Sequence, residues 1–167
     1  SLGRVIPADH PTLVFKDVAV DAGLVFEHAP FTRTNRLPED MGSGVALADV
    51  DGDGWTDVFL ANLSRSLQPS PAELSRPAAR CAFYRNRGDG SFEDASVSAG
   101  LDLELLANGA AFLDFDSDGD LDLLVTSYPQ LTLLANDGQA HFQDVTAAAG
   151  LAELHGFWTS IAVGDYD

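Results

Sequence analysis

The chain has 167 residues, and 26 acidic against 9 basic side chains give a formal net charge of -17. This balance argues against nucleic acid or an anionic membrane surface as a partner, because both are recognised by clustered Lys and Arg. Hydrophobic residues make up 46% of the chain, which is ordinary for a globular protein and argues against a disordered acidic tail.

Cysteine content and hydropathy argue against internal disulfides and membrane insertion. Cys81 is the single cysteine, so no disulfide can form within the chain, and we expect a buried thiol that packs as a small hydrophobe. No apolar run approaches the roughly 18 residues of a membrane span. We therefore expect no direct insertion into a membrane.

The first predicted element, residues 12–24, carries a motif that recurs twice later in the chain. Each copy begins Phe-x-Asp and ends Ala-Gly-Leu, and its Phe and Gly are eight residues apart. The copies are residues 15–24, 92–101 and 142–151. Recurrence at a fixed offset predicts a repeat architecture.

An Asp-rich loop interleaves with this first motif. Residues 49–57, which we name the first loop, share the pattern D-x-D-x-D-G-x-x-D with residues 114–122, the second loop. Asp165 and Asp167 begin a third copy, and the three copies start 65 and then 51 residues apart. A short apolar stretch precedes each copy, which is typical of a strand that leads into a turn.

Each repeat is predicted to hold four short strands. The predicted strands are 42–48, 56–61, 82–85 and a fourth from Phe92 in one unit, and 108–113, 121–126, 131–134 and a fourth from Phe142 in the next. Four antiparallel strands in a unit of about 50 residues are typical of a β-propeller blade. We therefore predict an all-β fold of propeller blades; a β-sandwich has similar strand spacing but does not repeat a loop of identical chemistry.

The repeats also predict the domain organisation. The predicted segments are 12–24 as the last strand of a preceding blade, 40–101 as a blade with an insert at 63–80, 107–151 as a blade, and 157–167 as the start of the next. The insert is rich in Ser and Pro, so we expect an exposed loop. A propeller closes with four or more blades, so two complete blades predict part of a longer protein, with a self-assembling partial propeller as the alternative.

Each Asp-rich loop is predicted to bind Ca²⁺. Carboxylates at positions 1, 3, 5 and 9 would repel one another without a counter-charge, and Gly at position 6 permits a bend that brings in the position-7 carbonyl. Hard oxygen ligands select Ca²⁺ over transition metals, and Mg²⁺ is less suited because it retains several waters. The predicted ligands are Asp49, Asp51, Asp53, Asp57 and the Trp55 carbonyl in one site, Asp114, Asp116, Asp118, Asp122 and the Asp120 carbonyl in a second, and Asp165 and Asp167 in a truncated third.

The two complete loops do not fit an EF-hand. Leu60 and Val125 stand at position 12, where an EF-hand requires a bidentate Glu. The residues after each loop also have the apolar pattern of a strand, whereas an EF-hand loop opens a helix. A solvated acidic turn without metal is the remaining alternative.

The motifs resemble the FG-GAP/VCBS repeat, and most of all the branch related to cartilage acidic protein, which often ends in an ASPIC/UnbV domain. The resemblance is carried by D-x-D-x-D-G-x-x-D in both loops, N-x-G-D-G-x-F-x-D at residues 86–94, and the repeated A-G-L. It implies a propeller, commonly of seven blades, with Ca²⁺ held in the hairpin loops. It also implies a secreted or cell-surface protein with adhesive, carbohydrate-binding or scaffolding roles.

The working hypothesis is a non-enzymatic calcium-binding propeller segment that serves protein interaction, adhesion or scaffolding in an extracellular, cell-surface or periplasmic location. Its expected partners are a protein or a glycan, together with the remaining propeller blades. One alternative is a carbohydrate-binding or carbohydrate-active propeller, and another is an accessory subunit of a membrane-associated complex. The sequence shows no nucleophile elbow or phosphate-binding loop that would indicate an enzyme.

Two short motifs are interpreted as structural. The Arg-Gly-Asp tripeptide at residues 87–89 falls in a predicted hairpin turn, whose geometry itself requires Gly and Asp. The Asn-x-Ser sequon at residues 62–64 has meaning only in a eukaryotic secretory route.

Overall fold

A computed structural model describes residues 14–34 and 36–164. Within them, eight strands form two four-stranded antiparallel sheets, and the strand order of each sheet follows the chain. The first sheet holds β1 (Val45–Ala48), β2 (Asp57–Leu60), β3 (Ala82–Asn86) and β4 (Phe92–Asp94), and the second holds β5 (Leu106–Leu113), β6 (Asp122–Tyr128), β7 (Leu131–Asn136) and β8 (Phe142–Asp144). The prediction of an all-β fold with four-stranded antiparallel units is confirmed.

The Asp-rich loops join the first two strands of each sheet. Ala48 pairs with Asp57 and Leu113 pairs with Asp122, so position 9 of each loop is the first residue of the returning strand. Because neighbouring strands run antiparallel, this loop and the β3–β4 or β7–β8 turn lie at one end of the sheet. The long connections before β1 and between β2 and β3 lie at the opposite end.

Contacts between loop and turn support this arrangement. A Cβ atom at position 88 would lie 2.5 Å from the indole Nε1 of Trp55, and one at position 138 would lie 2.6 Å from Oδ2 of Asp120. The side chain at loop position 7 therefore covers the neighbouring turn in both sheets, and the turn glycines beneath it have φ of 74° and 75°, which disfavours other residues.

The repeated Ala-Gly-Leu links one unit to the next. Phe92 N–H donates to the Ala22 carbonyl, and Phe142 N–H donates to the Ala99 carbonyl, both at 2.8 Å. The glycine that follows each Ala has φ near +80° (88° at Gly23 and 76° at Gly100), a conformation that L side chains rarely adopt. The motif recurs because the same backbone contact between units recurs.

The core lies between the two sheets and draws on both. The inner strands approach closely, since a Cβ atom at position 44 would lie 2.8 Å from the Cα of Gly109. The buried cluster consists of Ala46, Val50, Phe59, Ala61, Cys81, Phe83, Ala99, Leu101, Ala107, Leu123, Val125, Leu134, Ala140 and Phe142. Burial of each large apolar side chain stabilises the fold by about 1.5–3 kcal/mol.

Two predicted strands are absent from the described part of the chain. Residues 14–24 and 157–164 contain no assigned strand, and Phe15 is 92% exposed. A strand is stabilised by a ladder of hydrogen bonds to a neighbour. Among the described residues, 14–24 has a hydrogen bond from the Phe92 N–H to the Ala22 carbonyl but no such ladder, and 157–164 has none either.

The insert at 63–80 differs from the exposed loop that we expected. It contains a short helix, α2 (Pro71–Leu74), capped by the Ser70 hydroxyl, which accepts a hydrogen bond from the Glu73 N–H at 3.2 Å. At its base Leu63 is fully buried, and Ser64 N–H donates to the Leu105 carbonyl at 2.8 Å. Ser and Pro therefore form a cap and a helix start here, in addition to a surface loop.

A buried carboxylate joins this insert to the connection before β1. Glu39 lies in the helix α1 (Leu37–Asp40) and is fully buried. It accepts hydrogen bonds from the Thr34 N–H at 2.5 Å, the Thr34 hydroxyl at 2.8 Å and the Leu67 N–H at 2.6 Å. Burial alone would raise the pKa of Glu39, but the hydrogen bonds from Leu67 and Thr34 outweigh it and hold the pKa below 4.5.

Asn62 ties the same two connections together. Its side-chain Oδ1 accepts from the Ala29 and Leu63 N–H groups, each at 2.9 Å. Its Nδ2 donates to the carbonyls of Glu27 at 3.1 Å and Arg80 at 3.0 Å. Asn62 is 2% exposed, so the sequon at residues 62–64 is not accessible to a glycosyl donor in the folded chain.

Replacing Glu39 by Gln should lower the free energy of unfolding at neutral pH by about 1–3 kcal/mol, because an amide NH₂ would face a backbone donor. Urea unfolding measures this loss. The same change at Glu93, whose exposed carboxylate pairs with Arg87 at 3.1 Å, should cost less than about 1 kcal/mol. Equal losses for the two variants would contradict the role assigned to Glu39.

The free energy of unfolding lost in Glu39→Gln should depend on pH. Its folded-state pKa lies below the ordinary value of 4.5, so the carboxylate stabilises the fold above that pH and loses its effect as the pH falls through the folded value. The difference between wild type and Glu39→Gln should shrink correspondingly in acid. A difference that stays constant with pH would contradict the assignment.

Candidate metal sites

The structure gathers carboxylates in both Asp-rich loops. Each cluster holds three aspartates whose oxygens lie within 4.8 Å of one another. The clustered residues are Asp49, Asp51 and Asp57 in the first loop and Asp114, Asp116 and Asp118 in the second. Two predicted ligands, Asp53 and Asp122, lie outside these clusters. The clustered donors are hard oxygens, without His or Cys, so either cluster can hold a hard divalent cation.

The remaining predicted ligands have other positions. Asp53 turns back on its own loop, where its Oδ1 accepts a hydrogen bond from the Trp55 N–H at 2.9 Å. The roles of the Trp55 and Asp120 carbonyl oxygens as ligands stay predictions. Asp165 and Asp167 lie outside the described residues.

The aspartate at position 1 closes each loop. Asp49 accepts hydrogen bonds from the Asp53 N–H at 3.1 Å and the Gly54 N–H at 2.8 Å. In the second loop, Asp114 likewise accepts a hydrogen bond from the position-6 glycine, the Gly119 N–H, at 3.2 Å. These bonds bend the backbone so that its alternate side chains can converge.

The bend also depends on left-handed backbone conformations. The position-6 glycines, Gly54 and Gly119, have φ of 90° and 94°, as the sequence pattern predicts. Position 4 is left-handed as well, with φ of 70° at Gly52 and 63° at Ser117. The sequence pattern does not reveal this second requirement because Ser stands there in one copy, and Ser tolerates the conformation at some energetic cost.

The position-9 aspartate of the first loop is a buried acceptor. Asp57 is fully buried and accepts hydrogen bonds from the Asn86 N–H at 2.8 Å and the Val50 N–H at 3.2 Å. Desolvation raises the pKa of Asp57, and the charges of Asp51 and Asp53 raise it further, against the lowering effect of the two hydrogen bonds. The carboxylate therefore latches the loop to β3 in addition to joining the cluster.

The second loop has the same latch and a link to the first sheet. Asp122 accepts from the Phe115 N–H at 2.8 Å and the Asn136 N–H at 2.9 Å. The Asn136 side chain then donates to the carbonyls of Leu121 at 3.1 Å and Val50 at 2.8 Å. Since Val50 lies between two aspartates of the first loop, Asn136 connects the two loops across the contact between units. The repeat contains this Asn in both units, but its spacing alone does not predict the contact.

Electrostatic repulsion is evident in the second loop as well. The pKa of Asp116 is raised by desolvation and by the negative charges of Asp118, Asp122 and Asp114. Like charges at this spacing disfavour ionisation. A bound cation would remove that penalty, so the electrostatics of the loop favour cation binding.

One aspartate in the first loop already has a cationic neighbour. The Asp51 side chain is 4% exposed and forms an ion pair with the guanidinium of Arg85 in β3. Its Oδ2 receives no well-aligned hydrogen bond from the described residues. Nothing in the sequence pattern indicates this pair, because the two residues are far apart in the chain.

The Arg-Gly-Asp turn is held by its own side chains. Arg87 pairs with Glu93 at 3.1 Å. Asp89 accepts from the Ser91 N–H at 2.9 Å and the Ser91 hydroxyl at 2.6 Å. These bonds stabilise the turn and agree with its structural interpretation.

The single cysteine lies in the core. Cys81 is buried, as expected, and desolvation raises the pKa of its thiol to about 11. The thiolate needed for nucleophilic chemistry is therefore scarce at neutral pH.

The helices of this chain are short. In the part of the chain that the structure describes, neither helix has the length and apolarity that crossing a bilayer requires.

Replacing Asp122 by Asn should destabilise the metal-free protein by about 1–3 kcal/mol, because its NH₂ group would face one of two backbone donors. Asp116→Asn removes the same charge from an exposed side chain, so without metal it should destabilise the protein far less than Asp122→Asn does. Urea unfolding in EDTA measures both variants. Equal destabilisation by both would contradict the latch.

Comparisons with known proteins agree with these features. The sequence matches the family described as FG-GAP-like repeat over residues 49–125 and 114–167. It is also 28% identical to Cartilage acidic protein 1 of Homo sapiens over 140 residues, which cover 81% of this chain and 17% of that protein. The chain thus spans about a sixth of the length of this relative. Because the family match covers most of the sequence and includes both Asp-rich loops, the chain belongs to the FG-GAP-like repeat family.

Proposed function

We propose that this chain is a non-enzymatic, calcium-binding segment of a β-propeller that serves protein interaction, adhesion or scaffolding outside the cytoplasm. The observation that carries the proposal is the pair of three-carboxylate clusters in two copies of one loop. Both copies of the loop retain the same spacing, the same latch and the same left-handed bend. A common cation requirement is consistent with all three.

Calcium is the proposed ion because of the donor chemistry. Ca²⁺ takes 6–8 oxygen ligands in flexible geometry, whereas Mg²⁺ demands an octahedron and retains water. The proposed ligands are Asp49, Asp51, Asp53, Asp57 and the Trp55 carbonyl, then Asp114, Asp116, Asp118, Asp122 and the Asp120 carbonyl, with Asp165 and Asp167 in a third loop. A carboxylate has about four lone-pair sites, so the position-9 aspartates can accept amide hydrogen bonds and still face an ion.

The ion's proposed role is structural. It would neutralise repelling carboxylates and fix the corner between the first two strands of each blade. Asn136 donates to the Val50 carbonyl of the first loop at 2.8 Å, so ordering that loop would also order the contact between blades.

Exposed apolar side chains support further blades beside this pair. Val45 and Leu47 are 55% and 61% exposed, whereas Ala46 between them is 5% exposed. Strand side chains alternate between faces, so Val45 and Leu47 lie on the face away from the second sheet. We propose that another blade of the propeller covers them, and that the predicted blade boundaries at 40–101 and 107–151 hold.

An extracellular, cell-surface or periplasmic location fits weak calcium sites. Extracellular modules bind Ca²⁺ with dissociation constants of about 10⁻⁴–10⁻³ M, which suffice where the ion is abundant. The name of the human relative points to cartilage, and we extend an extracytoplasmic location to this chain as part of the proposal.

A cleft favours a second candidate function, carbohydrate binding. It has a volume of about 690 Å³ and lies between the two long connections, at the end of the fold opposite the loops. Its lining includes Phe31, Arg65 and Arg76, an aromatic ring and hydrogen-bond donors that suit a sugar. Glycan-array binding that saturates and is lost in Phe31→Ala would favour this function; the absence of such binding would favour a protein partner.

Calcium should raise the free energy of unfolding. When free Ca²⁺ is at 100 times the dissociation constant of a site, binding adds about 2.7 kcal/mol to the free energy of unfolding. The same concentration of Mg²⁺ should add less. Thermal and urea unfolding, in EDTA and in excess Ca²⁺, measure the effect. An unfolding midpoint that is the same in EDTA and in excess Ca²⁺ would contradict the assignment of the loops as metal sites.

Matched variants locate the effect in the loops. Asp116→Asn with Asp118→Asn should remove the contribution of the second loop. Asp21→Asn with Glu153→Gln removes two charges as well, from exposed residues outside the loops, and should retain the full response to Ca²⁺. A reduced response in this control would point to overall charge and away from the loops.

A further inference from the structure

The two loops differ in one contact that the repeat does not predict. Arg85 pairs with Glu93 across β3 and β4, and Ala135 pairs with Gln143 across β7 and β8. Arg85 and Ala135 thus hold equivalent positions, each directly before the repeated turn Asn of its own unit. The guanidinium of Arg85 forms an ion pair with Asp51 of the first loop, and Ala135 offers no charge to the second.

The loops also differ at position 7, where the first has Trp55 and the second has Asp120. Four aspartates together with Arg85 give the first loop a formal charge of -3, and five aspartates give the second loop -5. The affinity of a calcium loop rises with the negative charge of its ligands and neighbours. The second loop therefore attracts a divalent cation more strongly.

Asp51 is where Arg85 and an ion would compete. Its side chain is 4% exposed, so its negative charge requires a close positive partner. Arg85 supplies that partner without metal. Its own side chain is 47% exposed, which allows the guanidinium to move into water when an ion enters.

We propose that Arg85 is a built-in counter-ion of the first loop, which competes with Ca²⁺ for Asp51 and makes the first loop the weaker of two calcium sites. The inference rests on the proposed function, since it requires both loops to bind Ca²⁺. The second loop fills first, and the first loop keeps its shape at calcium concentrations too low to occupy it.

Arg85→Ala tests the competition. It should increase the Ca²⁺ affinity of the first loop about tenfold, because a unit charge close to the ion is removed. Calorimetry measures both sites in the full chain. Terbium luminescence excited through Trp55 reports on the first loop, and Trp55→Phe verifies that assignment. Arg85→Gln retains most of the side-chain stem and gives the same test if the Ala variant folds poorly.

Ala135→Arg is the reciprocal change, and Arg87→Ala is the control. Ala135→Arg should weaken the second loop about tenfold by the same physical effect. Arg87→Ala removes an equal charge from β3's neighbouring turn, where Arg87 pairs with Glu93 at 3.1 Å. It should leave both affinities within about twofold, since the exposed charge is screened by solvent.

The outcomes separate this inference from the proposed function. Calcium binding at both loops that does not change in Arg85→Ala and Arg85→Gln would overturn the role of Arg85 alone. Weaker binding at the first loop in both variants would overturn it as well. No calcium or terbium binding at either loop of the wild type would overturn the proposed function and this inference with it.

Discussion

Repulsion among clustered carboxylates determines how each Asp-rich loop is built. Three aspartate oxygens lie within 4.8 Å of one another in each loop, at the corner where the first two strands of a sheet meet. Water alone compensates the first cluster poorly, because Asp57 is fully buried. The protein therefore has to provide donors, a positive side chain or a bound cation at that corner, whereas the three clustered aspartates of the second loop are exposed.

The structure distributes these roles by position in the loop. Position 1 accepts backbone N–H groups and sets the bend, as Asp49 does with Gly54 at 2.8 Å. Position 9 is buried and latches the loop to the third strand, as Asp122 does with Asn136 at 2.9 Å. Asn136 also links the second loop to the first sheet, because its side chain donates a hydrogen bond to the Val50 carbonyl. The charge left at the middle positions is what a cation would neutralise.

Much of this was predictable from sequence, because spacing determines local geometry. The recurrence of Phe, Gly and the Asp pattern predicts the strands of the two sheets, and three of the four aspartates that it predicts in each loop form a cluster. Gly54 predicts the position-6 bend. The pattern could not show that Asp122 faces backbone donors, that Arg85 reaches Asp51, or that Glu39 joins two connections. Each of these three contacts depends on which distant segments pack together. The Ser and Pro content of residues 63–80 predicted an exposed loop, although Leu63 is buried.

We propose that the paired carboxylate clusters are calcium sites. Equilibrium dialysis of the full chain against radioactive calcium counts the ions bound at saturation. The two clusters predict at least two ions per chain, with one fewer in a chain that carries Asp116→Asn and Asp118→Asn. Saturation with no bound calcium, or a count that the double substitution leaves unchanged, would contradict the account.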